Sequence, residues 1–128
     1  MAGVTANAIP NSGLPDSSFD EHSPGRPAPT PGATRPRATL VAAGELLRAL
    51  SAPVRIAIVL QLRDHGRCVH ELVDALGVTQ PLISQHLRVL KSAGVVDGER
   101  HGREVVYRLV DEHLSHIVVD AVTHVEEE

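Results

Sequence analysis

The chain has 128 residues, a formal net charge of −4, one cysteine and aromatic residues at only 2 % of its length. That length is enough for one small domain, no apolar run approaches the roughly 18 residues of a membrane span, and no signal peptide is expected. A single cysteine excludes an intramolecular disulfide, which fits a cytoplasmic location. Because so few aromatic side chains cannot anchor a large core, we expect burial shared with a second chain.

Prolines are concentrated at the start of the chain. Seven of the nine fall within residues 1–37, among glycine, serine and threonine. This segment lacks apolar periodicity and cannot bury enough surface to offset the entropy of ordering it. We therefore predict a disordered, Pro-rich N-terminal arm over residues 1–37 and a folded domain over residues 38–128.

Three helices are predicted next. Apolar residues recur with helical spacing from Thr39 to Leu50, and a second helix runs from Pro53 to Asp64, with Gly66 at its end. The second helix is apolar nearly all round, which predicts a central place in the core. A third, short helix covers roughly Val69 to Leu76.

The stretch after the third helix is typical of a helix-turn-helix. Gly77 breaks the chain between two apolar-periodic segments, and Pro81 stands where a missing backbone donor costs little. Ile83, Leu87 and Leu90 then form one apolar stripe. The side chains that point away from the stripe are Gln80, Ser84, Gln85, Arg88 and Lys91. Because such amide, arginine and lysine side chains contact base edges and phosphates, they predict a DNA-recognition helix.

Val95 to Leu109 has the composition of a β-hairpin, with His101-Gly102 as the favoured turn. A hairpin directly after a recognition helix predicts a wing, with Arg100 and Arg103 near its tip to meet phosphates or a minor groove. The charges agree, since residues 79–108 carry five basic and three acidic side chains, whereas residues 111–128 carry six acidic and none basic. Double-stranded DNA is therefore the predicted partner of the helix and the wing.

A final helix is predicted from Asp111 to Glu127. His113 and His124 are eleven positions apart, which places them within about 20° on one face and about 16 Å apart along the axis. One ion cannot span that distance. Two antiparallel helices, however, bring Asp111 and His113 of one chain beside His124 and Glu127 of a second copy, as a four-ligand site repeated twice. This pattern predicts a metal site shared between two chains, in preference to a solvated helix with scattered histidines.

The ligand types limit the metal. Imidazole and carboxylate suit zinc, cobalt or nickel, and tetrahedral closure by four ligands favours Zn²⁺. His116 lies one turn after His113 and is an auxiliary ligand candidate, which would raise the coordination number and favour Ni²⁺ or Co²⁺. A single cysteine argues against arsenite, lead and cadmium, which prefer two or more thiolates.

The pattern Asp111-x-His113, ten residues, His124-x-x-Glu127 matches the C-terminal-helix metal motif of the ArsR/SmtB family of metal-sensing repressors. Gln80 to Val96 also resembles that family's recognition helix, and the resemblance covers nearly all of the chain after the arm. It implies a mostly α fold with a small β-hairpin, in a homodimeric winged helix-turn-helix protein that is not an enzyme. It further implies that the apo dimer binds operator DNA as a repressor and that zinc at the dimer interface releases the DNA.

Some members of that family carry a second metal site near the third helix. Cys68 stands at this place, with Glu71 or the arm residue His22 as its candidate partner, and without a second cysteine. A weak second site and a purely structural cysteine are both open. Three other functions also stay open: a nickel- or cobalt-responsive repressor, a redox- or small-molecule-responsive repressor with a vestigial metal motif, and a dimeric interaction module without a DNA role.

Overall fold

A computed structural model describes residues 25–127 of the chain. Its helices and strands follow one another as α1 (Arg37–Ala49), α2 (Pro53–Gln61), β1 (Arg67–Cys68), α3 (Val69–Leu76), α4 (Gln80–Ser92), β2 (Val96–His101), β3 (Glu104–Leu109) and α5 (Glu112–Glu126). None of these helices is long and apolar enough to cross a membrane. Residues 25–36 contain one turn and neither helix nor strand. The disordered arm over residues 1–37 stays a prediction, since residues 1–24, including His22, lie outside the described range.

Helix α2 lies at the centre of the core, as predicted. Its Ile58 and Val59 are completely buried, and the helix contacts α3, α4 and α5. The other fully buried large side chains are Leu72, Ile83, Leu87, Leu90, Val95 and Val96. Each such side chain stabilises the fold by roughly 1.5–3 kcal/mol relative to exposure. The core therefore fixes α4 and the start of the hairpin against α2.

The helix-turn-helix is confirmed with the predicted bounds of its two helices. Gly77 ends α3 in the left-handed conformation, with φ of 66°, and its N–H donates to the Val73 carbonyl over 2.9 Å. Pro81 lies in the first turn of α4, where no intrahelical donor is required. The short turn between the helices thus depends on a glycine that tolerates a positive φ.

The second helix is shorter than predicted, because it ends at Gln61 and not at Asp64. The N–H of Leu62 is shared between the carbonyls of Ile58 and Val59, which tightens and closes the last turn. The prediction that Gly66 ends this helix was therefore wrong. Glycine is required there because an added Cβ would lie 2.7 Å from Cγ1 of Val106 and 3.0 Å from the Tyr107 carbonyl oxygen.

The hairpin is confirmed, and it belongs to a three-stranded antiparallel sheet in the order β1-β3-β2. Val96 pairs with Leu109 at its base and His101 with Glu104 at its tip, where Gly102 has a φ of 65°. The two-residue strand β1 was not predicted. It pairs Arg67 with Tyr107 and Cys68 with Val106, so it attaches the wing to the start of α3.

Replacing Gly66 by alanine is expected to destabilise the protein by about 1–3 kcal/mol, since the new methyl group meets the backbone and side chains of β3. Urea unfolding monitored by circular dichroism measures this loss. Gly32→Ala is the matched control, because nothing lies within 4 Å of a Cβ added there. Equal unfolding midpoints for the two variants would show that β3 relaxes around the added methyl group.

Candidate DNA-binding surface and metal ligands

Helix α4 presents a polar face outside the core. Ile83, Leu87 and Leu90 are buried and hold the opposite face of the helix against the domain. Of the residues predicted to contact DNA, Gln80, Gln85, Arg88 and Lys91 are exposed and Ser84 is half-buried. The geometry therefore leaves these amide, hydroxyl and cationic groups available on one rigid helix.

Arg55 fixes α4 relative to the first two helices. Its Nε donates to the Ala49 carbonyl over 2.6 Å, and its Nη1 lies 3.2 Å from Nδ1 of His86 on α4. Arg55 also lines an open groove together with Arg48 and Arg88. The sequence did not reveal this group of three arginines, because its members come from three different helices.

Protonation of His86 is opposed by its surroundings. Burial, followed by the positive charge of Arg55, lowers the pKa of His86 from its ordinary value. The neutral ring can then accept the hydrogen bond from Arg55 through Nδ1.

A pH dependence of stability follows from this lowered pKa. The unfolded state binds more protons than the folded state, so stability falls as the pH drops through the unfolded imidazole pKa of about 6.5 towards the lower folded value. His86→Gln keeps a hydrogen-bond acceptor and does not titrate, so we expect it to lose less stability than wild type between about pH 7 and pH 5. Urea midpoints measured across this range test the expectation, and the other histidines are common to both proteins. Parallel curves for the two proteins would contradict it.

The wing carries its two predicted cations in exposed positions. Arg100 is near the end of β2, Arg103 lies in the turn, and both are exposed. His101 at the tip is paired with Glu99, whose Oε1 lies 3.2 Å from the ring Nε2. The two arginines are thus available to a phosphate backbone from the edge of the sheet.

Asp111 and His113 meet at the start of α5. Asp111 is the N-cap, and its Oδ1 accepts a hydrogen bond from the His113 backbone N–H over 2.8 Å and also contacts Nδ1 of the His113 ring. The backbone hydrogen bond, followed by the side-chain one, lowers the pKa of the Asp111 carboxyl. The carboxylate and imidazole are therefore held together as a pair of ligand-type groups at one end of the helix.

The other predicted α5 ligands lie on the exposed side of the helix. His116, His124 and Glu127 are exposed, whereas Leu114 and Val118 are buried against the domain. Within residues 25–127, Asp111, His113, His124 and Glu127 do not form a cluster of three or more ligands in one chain. The two ends of α5 therefore supply separate halves of any shared site.

A different ligand cluster surrounds Cys68. Its Sγ, the ring of His70 and the carboxylate of Glu104 offer ligand atoms that all lie within 4.8 Å of one another. Burial raises the pKa of the Cys68 thiol. Glu71, the predicted partner of Cys68, accepts a hydrogen bond from the Cys68 backbone N–H over 2.9 Å, and this bond lowers the pKa of its carboxyl. Sequence reasoning missed His70 and Glu104 as neighbours of the thiol.

The helix-turn-helix and the hairpin after α4 place the chain in the class of winged helix-turn-helix DNA-binding proteins. Residues 52–97 match the family described as "Bacterial regulatory protein, arsR family". Over 132 aligned positions the chain is 61 % identical to the HTH-type transcriptional repressor SmtB of Mycobacterium tuberculosis, with 98 % of each chain covered. The chain belongs to the ArsR/SmtB family of transcriptional regulators, whose members are DNA-binding proteins and not enzymes.

Two further similarities agree with this family. The chain is 41 % identical over 80 residues to the HTH-type transcriptional regulator NmtR of Mycobacterium tuberculosis, covering 62 % of this chain and 67 % of that one. The homodimeric winged helix-turn-helix DNA-binding domain Mb0332 of Mycobacterium bovis superposes with a TM-score of 0.65 at 25 % identity, covering 77 % of this chain and 93 % of that one. The winged helix-turn-helix predicted from the sequence is thereby confirmed.

Proposed function

We propose that the protein is a homodimeric, metal-responsive transcriptional repressor whose apo form binds operator DNA and releases it when Zn²⁺ binds between two α5 helices. The observation that carries this proposal is the pairing of Asp111 with His113 at one end of α5, with His124 and Glu127 exposed near the other end. A similar protein, SmtB, is named a repressor. As a regulator of DNA without a membrane-spanning role, the protein would act in the cytoplasm.

Exposed apolar side chains support a dimer formed through α1 and α5. Leu40 and Leu47 on α1 are 51 % and 53 % exposed, and Val125 on α5 is 66 % exposed. Such residues on two terminal helices form a surface that gains stability when a second chain covers it. The similar domain Mb0332 is described as homodimeric.

The donor set fits zinc. Two imidazoles and two carboxylates are borderline-hard ligands of the kind that bind Zn²⁺ tetrahedrally. Bound there, the ion would be a regulatory ligand that links the two chains. His116 is exposed one turn after His113, and its participation would favour Ni²⁺ or Co²⁺ in place of Zn²⁺.

For DNA, we propose that α4 enters the major groove and the wing contacts the backbone. Gln80, Ser84, Gln85 and Arg88 would contact bases, while Lys91, Arg100 and Arg103 would hold phosphates. A dimer places two such helices in successive major grooves about 34 Å apart on an inverted repeat.

A packed route joins the two sites. Helix α2 contacts both α5 and α4, so a change in the position of α5 reaches the recognition helix through one buried element. Couplings of this kind are typically ~1–3 kcal/mol, and they are reciprocal, so DNA should weaken metal binding by the same factor.

A redox signal at Cys68 is the weaker alternative. The thiol is buried and its pKa is raised, whereas oxidation proceeds through an accessible thiolate.

Fluorescence anisotropy of a promoter fragment from the protein's own locus tests the proposed function. The apo-protein is titrated into labelled DNA, and Zn²⁺, Ni²⁺ and Co²⁺ are then added in separate experiments. Tight apo binding that zinc reverses supports a zinc-released repressor, and reversal by nickel or cobalt alone reassigns the metal. Tight binding that no metal affects would refute the metal response, and the absence of operator binding would refute the repressor function.

A further inference from the structure

Three ligand atoms of different chemical types converge beside the wing. Sγ of Cys68 lies 3.2 Å from Nδ1 of His70 and 3.8 Å from Oε2 of Glu104, and the same Nδ1 lies 3.7 Å from that Oε2. Within residues 25–127, this is the one group of three or more histidine, cysteine or carboxylate ligands with such mutual proximity. All three belong to one chain.

The fold builds this cluster from two elements far apart in sequence. Strand β1 pairs Cys68 with Val106 of β3, and side chains two positions apart on a strand share a face. Glu104 is therefore the diagonal neighbour of Cys68 on that face. His70 comes from the first turn of α3, which begins directly after Cys68.

The separations match those between the ligands of one tetrahedral zinc ion. Bonds of about 2.3 Å to sulfur and about 2.0–2.1 Å to nitrogen or oxygen place neighbouring ligands about 3.3–3.6 Å apart. The observed values of 3.2, 3.7 and 3.8 Å differ from these by a few tenths of an ångström. Since His70 and Glu104 are exposed, a water molecule can reach the fourth position.

We propose that Cys68, His70 and Glu104 form a second metal site within each protomer, which binds a divalent ion of the zinc class and ties the wing to the start of α3. Glu71 is not a ligand, because its carboxylate caps α3 by accepting the Cys68 N–H. The site requires neither a partner chain nor α5. It adjoins Arg103, so an ion there holds the wing strand next to a proposed phosphate contact. The inference does not depend on the proposed zinc response of α5.

Cobalt(II) absorption of the full-length protein tests this site directly. Cys68 is the sole cysteine of the chain, so any near-ultraviolet thiolate-to-cobalt charge-transfer absorption reports on it alone. We expect this absorption to saturate at one equivalent per chain and to vanish in Cys68→Ser. Glu104→Gln should weaken cobalt binding at this site by about tenfold or more, as the loss of a metal-site partner does.

Matched variants decide which carboxylate is the ligand. Glu99→Gln alters another exposed glutamate of the wing and should leave the charge-transfer absorption unchanged, as should His113→Ala on α5. Glu71→Gln keeps an acceptor for the capping hydrogen bond and should also leave it unchanged, with circular dichroism confirming the fold of each variant. The absence of any charge-transfer absorption at saturating cobalt would overturn the proposal. A loss caused by Glu71→Gln but not by Glu104→Gln would equally overturn it.

Discussion

Replacing His113 by alanine is expected to abolish the effect of zinc on DNA binding while leaving the affinity of the apo-protein for DNA unchanged. The side chain is exposed, so its removal leaves no cavity in the core. The cap of α5 also survives, because Asp111 accepts from the backbone N–H of residue 113. In wild type, zinc should lower DNA affinity by about 5–150-fold, the usual range of such couplings.

Anisotropy titrations of both proteins with and without zinc measure this difference. His116→Ala is the informative companion, since that residue is exposed one turn further along α5. An unchanged zinc response in His116→Ala supports four ligands without it, whereas loss of a nickel or cobalt response alone marks it as an auxiliary ligand. A His113→Ala protein that still releases DNA with zinc would remove His113 from the site.

Replacing Arg88 by alanine is expected to reduce discrimination between operator and random DNA by about 1–3 kcal/mol, the contribution of a good bidentate base contact. Arg88 is exposed on the face of α4 opposite Leu87 and Leu90. Lys91→Ala is its matched counterpart on the same helix. A lost phosphate contact should weaken binding to both duplexes alike and reduce the slope of log K against log salt by about one.

Affinities for the operator and a random duplex, each measured over a series of salt concentrations, separate the two effects. If Arg88→Ala weakens both duplexes equally, Arg88 holds the backbone and does not read bases. The neighbouring Arg48 and Arg55, which line the same groove, make this phosphate-binding outcome a definite alternative.

Local signals predicted the helices and the hairpin well. The bounds of α3 and α4 follow from Gly77 and from the apolar stripe of α4, and the wing follows from its β-branched residues and Gly102. Strand β1 escaped prediction because two residues have no periodicity, and it exists only by pairing with β3. Gly66 was misread for the same reason, since the atoms that require glycine there belong to β3, forty residues later.

The two metal clusters differ in the same way. The spacing of Asp111, His113, His124 and Glu127 lies within one helix, so helical phase alone predicts their arrangement. Glu104 approaches Cys68 only because β1 and β3 pair. Sequence proximity favoured Glu71 as the partner of the thiol, whereas the structure uses that carboxylate as a helix cap.

A mixed dimer provides the most direct test of a metal site shared between two chains. One chain carries Asp111→Asn and His113→Ala, the other carries His124→Ala and Glu127→Gln, and both carry Cys68→Ser to silence the thiol cluster. Different affinity tags isolate the mixed dimer, and zinc binding is measured by competition with a chelating dye. A shared site predicts one tightly bound zinc per mixed dimer and none in either parent dimer, because one complete ligand set is restored. A mixed dimer that binds no zinc, or a parent dimer that binds it tightly, would contradict a site built between two α5 helices.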